Sequence, residues 1–326
     1  SNRMRAASAG GAWRGAAGRG TLPRIMSSSP DAPLVICLGN VVADHTFRVE
    51  DIPQPPAKIA ARSYSIGPGG MAANAAIAAL RLGGRAAFWG RIGDDLTGEP
   101  LAEALAAEGV DVSGLRRVPG GRTPVGAVLV DPRGERTIIS FRGSGLGTDP
   151  AWLPLEKLKE AGALCCDPRW QEGVAAAAAA ARAAGVPVVL DGERSETRIL
   201  VDLVPRVDHA IFSVTGLANF APGCSPEEGL RRALASGPVQ VAAVTQGEKG
   251  VLWLVPGAAK AERSPAFPVE ATNTTGAGDV FHGAYALAMA ERMPIAMAMR
   301  FASAAGALRA RDGATPDRAM VDALLG

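Results

Sequence analysis

The chain predicts a doubly wound α/β domain: a mostly parallel sheet with helices on both faces, and beside it a small β-sheet lid. Three observations carry this. From residue 163 onward, short apolar runs alternate with helical segments, the βαβ rhythm of a parallel sheet. Several runs end in glycine or polar loops, as strands do when their carboxyl ends border a ligand site. Two stretches, 45–66 and 123–142, break the rhythm with short, turn-bounded pieces of strand character. The 326 residues suffice for one large α/β domain or two smaller ones, and the 48% hydrophobic content supports a sizeable core.

Taken in order, the run from Pro33 to Gly39 reads as a buried strand, with Asp44 just beyond its end. A carboxylate there is placed to hold a polar substrate, or to close an Asx-type turn. The stretch 45–66 holds alternating pieces around the turn Pro53-Gln54-Pro55-Pro56. Gly67-Pro68-Gly69-Gly70 then opens an alanine-rich helix that carries Asn74 in its first turns, where the amide can point back at whatever the loop binds. Phe88 to Asp95 ends another strand in a polar loop, and 96–108 reads as a helix. Val125–Val130, the turn Asp131-Pro132-Arg133-Gly134 and Glu135–Phe141 form a hairpin signature. Ala163–Cys166, Val186–Leu190, Ala210–Val214 and Val241–Val244 read as further strands, Val174–Ala184 and 295–310 as helices. Standing off the α/β domain, the two strand-rich insertions make a flap that covers a substrate and excludes water.

Composition narrows the function classes. The net charge is +2, but Arg3, Arg5, Arg14, Arg19 and Arg24 face no acid among the first thirty residues; without them the body holds 29 basic against 32 acidic residues, unlike a nucleic-acid binder. Residues 1–32 are expected to be a disordered or non-native N-terminal extension, leaving 33–326 as the folded domain. No stretch is long and apolar enough to span a bilayer. Cys37, Cys165, Cys166 and Cys224 lack metal-ligand spacing and read as reduced residues of a cytoplasmic protein. With only His45, His209 and His282, no metal site is expected.

The sharpest signal is Asn273-Thr274-Thr275-Gly276-Ala277-Gly278-Asp279, followed by apolar residues at helical spacing. Gly276 to Gly278 should form the first turn of a helix, whose free N–H groups attract an anion. An acid within such a turn fits a base that takes a hydroxyl proton while the helix end holds growing phosphoryl charge. Alone, the same pattern also describes an ordinary acidic first turn after a glycine-rich loop.

Three blocks in order resemble the ribokinase-like (PfkB) carbohydrate kinases from about residue 34 to the C-terminus: Gly39 to Asp44; Gly69-Gly70 with Asn74 and Gly90-Arg91-Ile92-Gly93-Asp94-Asp95; and Thr274 to Asp279. The resemblance implies Asp279 as the base and Gly276, Ala277 and Gly278 as the anion hole. It implies that Asp44, Gly69, Gly70 and Asn74 bind the sugar. ATP would lie along Thr245, Gln246, Gly247 and Gly250, with Thr275, Gly276, Gly278, Ser303 and Gly306. Mg²⁺ would arrive with ATP and bridge mostly phosphate oxygens and water. Many members carry Asn-x-x-Glu near the phosphates; here the matching stretch is Ser213-Val214-Thr215-Gly216. Within the family the closest resemblance is to the sulfofructose kinases, which share that departure and phosphorylate the 1-hydroxyl of 6-deoxy-6-sulfofructose. That likeness implies Lys58 and Arg169 on the sulfonate, with Arg142 joining them and Ser140 where an asparagine is usual. Fructose, ribose, a phosphosugar or a nucleoside are the alternative substrates, and an inactive sugar or nucleotide sensor the alternative from another class. The implied partners are the sugar, ATP and a second copy of the chain joined through the lid, with neither nucleic acid nor membrane.

Overall fold

A computed structural model of the chain describes residues 29–54 and 56–326. The expected extension thus lies mostly outside the described residues; its last four form a turn in which Ala32 N donates to Ser29 O at 2.9 Å. β1 (Leu34–Gly39) opens the main sheet, while β2 (Val42–Arg48) and β3 (Ser63–Gly69) belong to a second, smaller one. The chain returns through α1 (Met71–Arg81), β4 (Arg85–Gly93), α2 (Gly98–Ala107) and β5 (Asp111–Val118), then leaves again for β6 (Val125–Val130) and β7 (Arg136–Phe141). The βα alternation runs through β8 (Ala161–Cys166), α3 (Gln171–Ala183), β9 (Val188–Gly192), α4 (Thr197–Leu203), β10 (His209–Ser213), α5 (Val214–Phe220), α6 (Pro226–Ala235) and β11 (Val241–Thr245). A hairpin, β12 (Val251–Leu254) and β13 (Glu262–Ser264), precedes α7 (Ala277–Ala290), α8 (Ile295–Asp312) and α9 (Arg318–Leu325).

The main sheet has nine strands in the order β13-β12-β11-β10-β9-β8-β1-β4-β5, parallel except for the β12–β13 edge. Its inner strands, such as β1, β8 and β11, are nearly continuous apolar runs because both faces are covered, whereas the edge strands β5 and β13 are polar and largely exposed. One face packs Phe88, Ile92 and Val189 under α1, α7 and α8; the other packs Trp89, Leu190 and Phe212 under α3 to α6. This is the expected fold. The sequence reading did not resolve β5, the β12–β13 hairpin, or helices α4, α5, α6 and α9. Cys37, Cys165 and Cys166 are buried thiols, whereas Cys224 is exposed between α5 and α6. No helix among the described residues is long and apolar enough to cross a membrane.

Alanine and glycine let α1 and α7 cross at close range. A Cβ at Gly283, mid-helix in α7, would overlap the carbonyl of Ala75 on α1. Mid-helix glycine costs about 1 kcal/mol relative to alanine; here it allows the contact that brings the first turns of both helices together.

The smaller sheet runs β3-β2-β6-β7. Strand alternation gives it two unlike faces. Register sets Gly67, Asp44, Gly126 and Ser140 in one row across all four strands, on the face shared with Thr46 and Ser65. The opposite face carries Phe47, Tyr64, Ile66, Leu129, Ile139 and Phe141. Tyr64, Ile139 and Phe141 are exposed there.

Candidate active site

The site forms where α1 and α7 begin, at the carboxyl ends of β1, β8 and β9. Gly276 is the N-cap of α7, in the left-handed region at φ 75°. No side chain caps the helix, and a Cβ on Gly278 would meet nothing within 4 Å. This helix end is therefore open for an anion. Asp279 stands in the first turn, and Asn74 Nδ2 donates to its Oδ2 at 2.7 Å. Burial, helped by the charge of Asp191, pushes the Asp279 carboxyl up to about 7 against the pull of the Asn74 hydrogen bond and of His282. A carboxylate near that value suits proton transfer close to neutral pH.

Asp44 departs from expectation in one respect. It is the third residue of β2, on a strand of the small sheet, and not in a loop after β1. Chain direction explains this: only Asn40 and Val41 separate the two strands, so no room is left for a loop. Its carboxylate is cradled by glycines, since a Cβ at Gly69 or Gly126 would overlap it. Burial raises its pKa to about 6. Gly69 ends β3 and Gly70 caps α1, whose backbone the carbonyl of Asn40 approaches too closely for a side chain at position 70.

Residues missed by the sequence reading hold this arrangement. Asp167, fully buried after β8, accepts from Asn40 N at 2.7 Å, Arg169 N at 2.8 Å and Ala72 N at 3.3 Å, so it fastens β1, β8 and α1 together. A Cβ at Gly39 would overlap it. Asp191, at the end of β9, is held well above the usual carboxylate range by burial and by Glu193. His282 packs below, a helix residue with Nδ1 2.7 Å from Gly278 O and Nε2 3.2 Å from Ile211 O. Asp167-Pro168-Arg169-Trp170 and Leu190-Asp191-Gly192 are stretches of the finer resemblance as well as strand ends, but neither aspartate was given a role.

The remaining candidates divide. Thr245 ends β11 beside Ser213 of β10, and the turn after it is closed by Gln246 N donating to Gly250 O at 2.8 Å. On α8, Ser303 has a buried hydroxyl without a partner among the described residues, and a Cβ on Gly306 would come 3.1 Å from Ala277 O. Thr275 N donates to Asn273 Oδ1 at 3.0 Å, tightening the loop before α7. Thus Gly306, Thr275 and Gly276–Gly278 come together. Ser213 caps α5, accepting from Gly216 N at 3.0 Å and donating to Glu193 Oε1 at 3.1 Å. A Cβ on Gly216 would overlap Gly192 O, so no acid could stand at that position; Glu193 is the carboxylate beside it.

The proposed cations are less gathered. Ser140 shares the row of Asp44, and the chain after β7 is tied to the Arg169 loop where Trp170 Nε1 donates to Thr148 O at 3.0 Å. Arg142 and Lys58 are exposed, with no hydrogen-bond or ion-pair partner among the described residues. Lys58 lies in the connection that leaves the small sheet at its Arg48–Ser63 end, away from the Asp44 row. Arg169, half-buried, faces the buried carboxylates of Asp167 and Asp191 and lowers the pKa of each.

The chain matches the family model for pfkB family carbohydrate kinases over residues 32–317. It is similar to the ribokinase of Bacillus subtilis, 30% identical over 298 residues that cover 89% of this chain and 99% of that protein. It is similar to the protein described as probable fructokinase-3 of Arabidopsis thaliana, 28% identical over 89% of this chain and 90% of that one. Among solved structures, that of Arabidopsis thaliana ribokinase complexed with ribose and ATP superposes with a TM-score of 0.76 at 29% identity, covering 90% of this chain and 98% of the other.

Proposed function

The chain belongs to the pfkB family of carbohydrate kinases, and on that premise we propose that it transfers the γ-phosphoryl group of ATP to the 1-hydroxyl of a ketohexose, 6-deoxy-6-sulfofructose. The observation that carries the chemistry is the Asn74–Asp279 hydrogen bond at the open end of α7. Asp279, aligned by Asn74, takes the proton of the sugar hydroxyl. The freed oxygen forms its bond to phosphorus as the bond from phosphorus to the bridging oxygen of ADP breaks, and the N–H groups of Gly276, Ala277 and Gly278 meet the charge on the transferring group. Asp44 accepts from sugar hydroxyls on the lid side, while the glycines around it leave room for the ring.

The residues present fit the nucleotide. An uncapped helix end suits its phosphates, and the orphaned hydroxyl of Ser303 lacks the acceptor that a ligand would supply. Mg²⁺ would neutralise phosphate oxygens during transfer. Glu193, next to Ser213, is the carboxylate that would reach its waters.

The anionic sugar is supported by Arg142, an exposed cation just after β7, and by Ser140 in the Asp44 row, whereas Lys58 lies away from that row. A second reading, ribose or fructose, is favoured by the relatives and by the carboxylates that already face Arg169. A homodimer through the small sheet is part of the proposal, because exposed Tyr64, Ile139 and Phe141 give its outer face an apolar patch. A cytoplasmic setting is supported by four unpaired cysteines.

The test is ADP release with ATP and Mg²⁺ on a panel of 6-deoxy-6-sulfofructose, fructose 6-phosphate, fructose and ribose. The proposal expects the highest kcat/KM for the sulfonate. In Arg169→Met it expects a loss of roughly ten- to a hundredfold, from one charge-assisted contact, for anionic sugars alone. Preference for ribose or fructose would replace the substrate and leave the chemistry standing. Nucleotide and sugar binding without ADP release would mean a sensor.

A further inference from the structure

Arg309 lies in the last turn of α8, outside every role assigned above. Its side chain is half-buried. A Cβ built on Gly276 would sit 3.5 Å from its Nε, 3.6 Å from its Nη2 and 3.7 Å from Asn74 Nδ2, so guanidinium and amide converge on the turn that caps α7. Its Nη1 is buried and has no hydrogen-bond partner among the described residues. No carboxylate pairs with it within ion-pair distance there, although the charge of Asp279 acts on it and opposes the effect of its burial. The loop before α7 is bound to the same end of α8, with Thr272 N and Asn273 N both donating to Ala310 O, at 2.9 and 3.0 Å.

A guanidinium nitrogen buried without a partner is costly, and packing alone would be met by an apolar residue. Such groups persist where their charge is used. Here the nearest place that needs positive charge is the anion-binding end of α7. We infer that Arg309 is a positioning residue for phosphoryl transfer: its guanidinium braces the Gly276 turn and supplies a fixed positive charge behind the anion hole and beside Asp279. The inference rests on the kinase reading above. Asp279 is then faced by Asp191 at the end of β9, Asp167 after β8, His282 on its own helix and Arg309 on α8, the last being the cation whose removal should make its carboxyl harder to ionise.

The experiment compares Arg309→Met, Arg309→Lys and Arg309→Ala in the full chain, using the best sugar of the panel. In Met, kcat should fall roughly 10- to 100-fold, the sugar KM should change less than about threefold, and the acid limb of kcat/KM should move to higher pH. Lys should recover most of both effects, and millimolar guanidinium should restore part of the turnover of Ala. Should Met fail to fold, Lys and the guanidinium rescue decide. Turnover within about threefold of wild type in Met, or equal losses in Met and Lys with an unmoved acid limb and no rescue, would overturn the inference. Carboxyl NMR of Asp279 needs no sugar: its titration should move upward in Met even if no sugar of the panel is turned over, and an unmoved titration sinks the inference independently of the kinase reading.

Discussion

The two sheets of this chain solve opposite problems. The nine-stranded sheet is covered on both faces, and the residues at its carboxyl ends are held from several directions: Asp167 by three backbone N–H groups, Asn74 and Asp279 by each other. The four-stranded sheet has one face with the Asp44 and glycine row, which also carries Val128 and Ile138, and one apolar face open to solvent. It touches the main domain, for instance, where Arg136 Nη1 donates to Thr274 Oγ1 at 2.7 Å. On the proposed reading, the first sheet is the rigid platform that places the proton and the second the adaptable flap that admits and covers the sugar. The division expects platform substitutions to act on kcat and flap substitutions on KM.

The largest effect should come from the platform. Asp279→Asn should bind sugar and ATP yet lose roughly 10²- to 10⁴-fold in kcat, measured by single-turnover ADP formation. Asn74→Ala removes one hydrogen bond to that carboxylate. It should lower kcat by about tenfold and move the acid limb of the rate profile above 7, because the bond favours the charged form. On the flap, Asp44→Asn should instead raise the sugar KM by about tenfold with a smaller change in kcat. Wild-type sugar affinity should improve as pH rises through about 6, where Asp44 ionises. A kcat defect as large as that of Asp279→Asn would erase the distinction between the regions.

A smaller effect concerns stability. The Asp279 pKa is raised from 3.8 unfolded to about 7 folded, so the native state holds the proton more tightly. Stability from this group is therefore greatest below pH 4 and lost as pH rises through 7. Asp279→Asn should melt higher than wild type at pH 8, by several degrees, at roughly 2–4 °C per kcal/mol for a domain of this size. The gap should narrow at pH 5. An equal gap at both values would mean that the carboxylate is not strained by burial.

Much of this was legible in the sequence, for a physical reason. Glycines before an amphipathic run specify an open helix end, and buried strands between helices specify a parallel sheet, so Gly276–Asp279 and the fold could be read locally. Position Asp44 was read as a loop because its strand pairs only with distant segments, Gly67 and Gly126. Asp167 and Arg309 were given no role, since the contacts each makes join residues far apart in sequence. The bar to an acid at Gly216 likewise lies in the carbonyl of Gly192.

The division between platform and flap is tested most directly by amide hydrogen exchange with and without the sugar that the enzyme consumes. Residues 45–66 and 123–142 should gain protection on binding, while the main-sheet strands and the bodies of α1 and α7 stay unchanged. Equal protection of both segments in the two states would mean a rigid preformed pocket and would contradict the division.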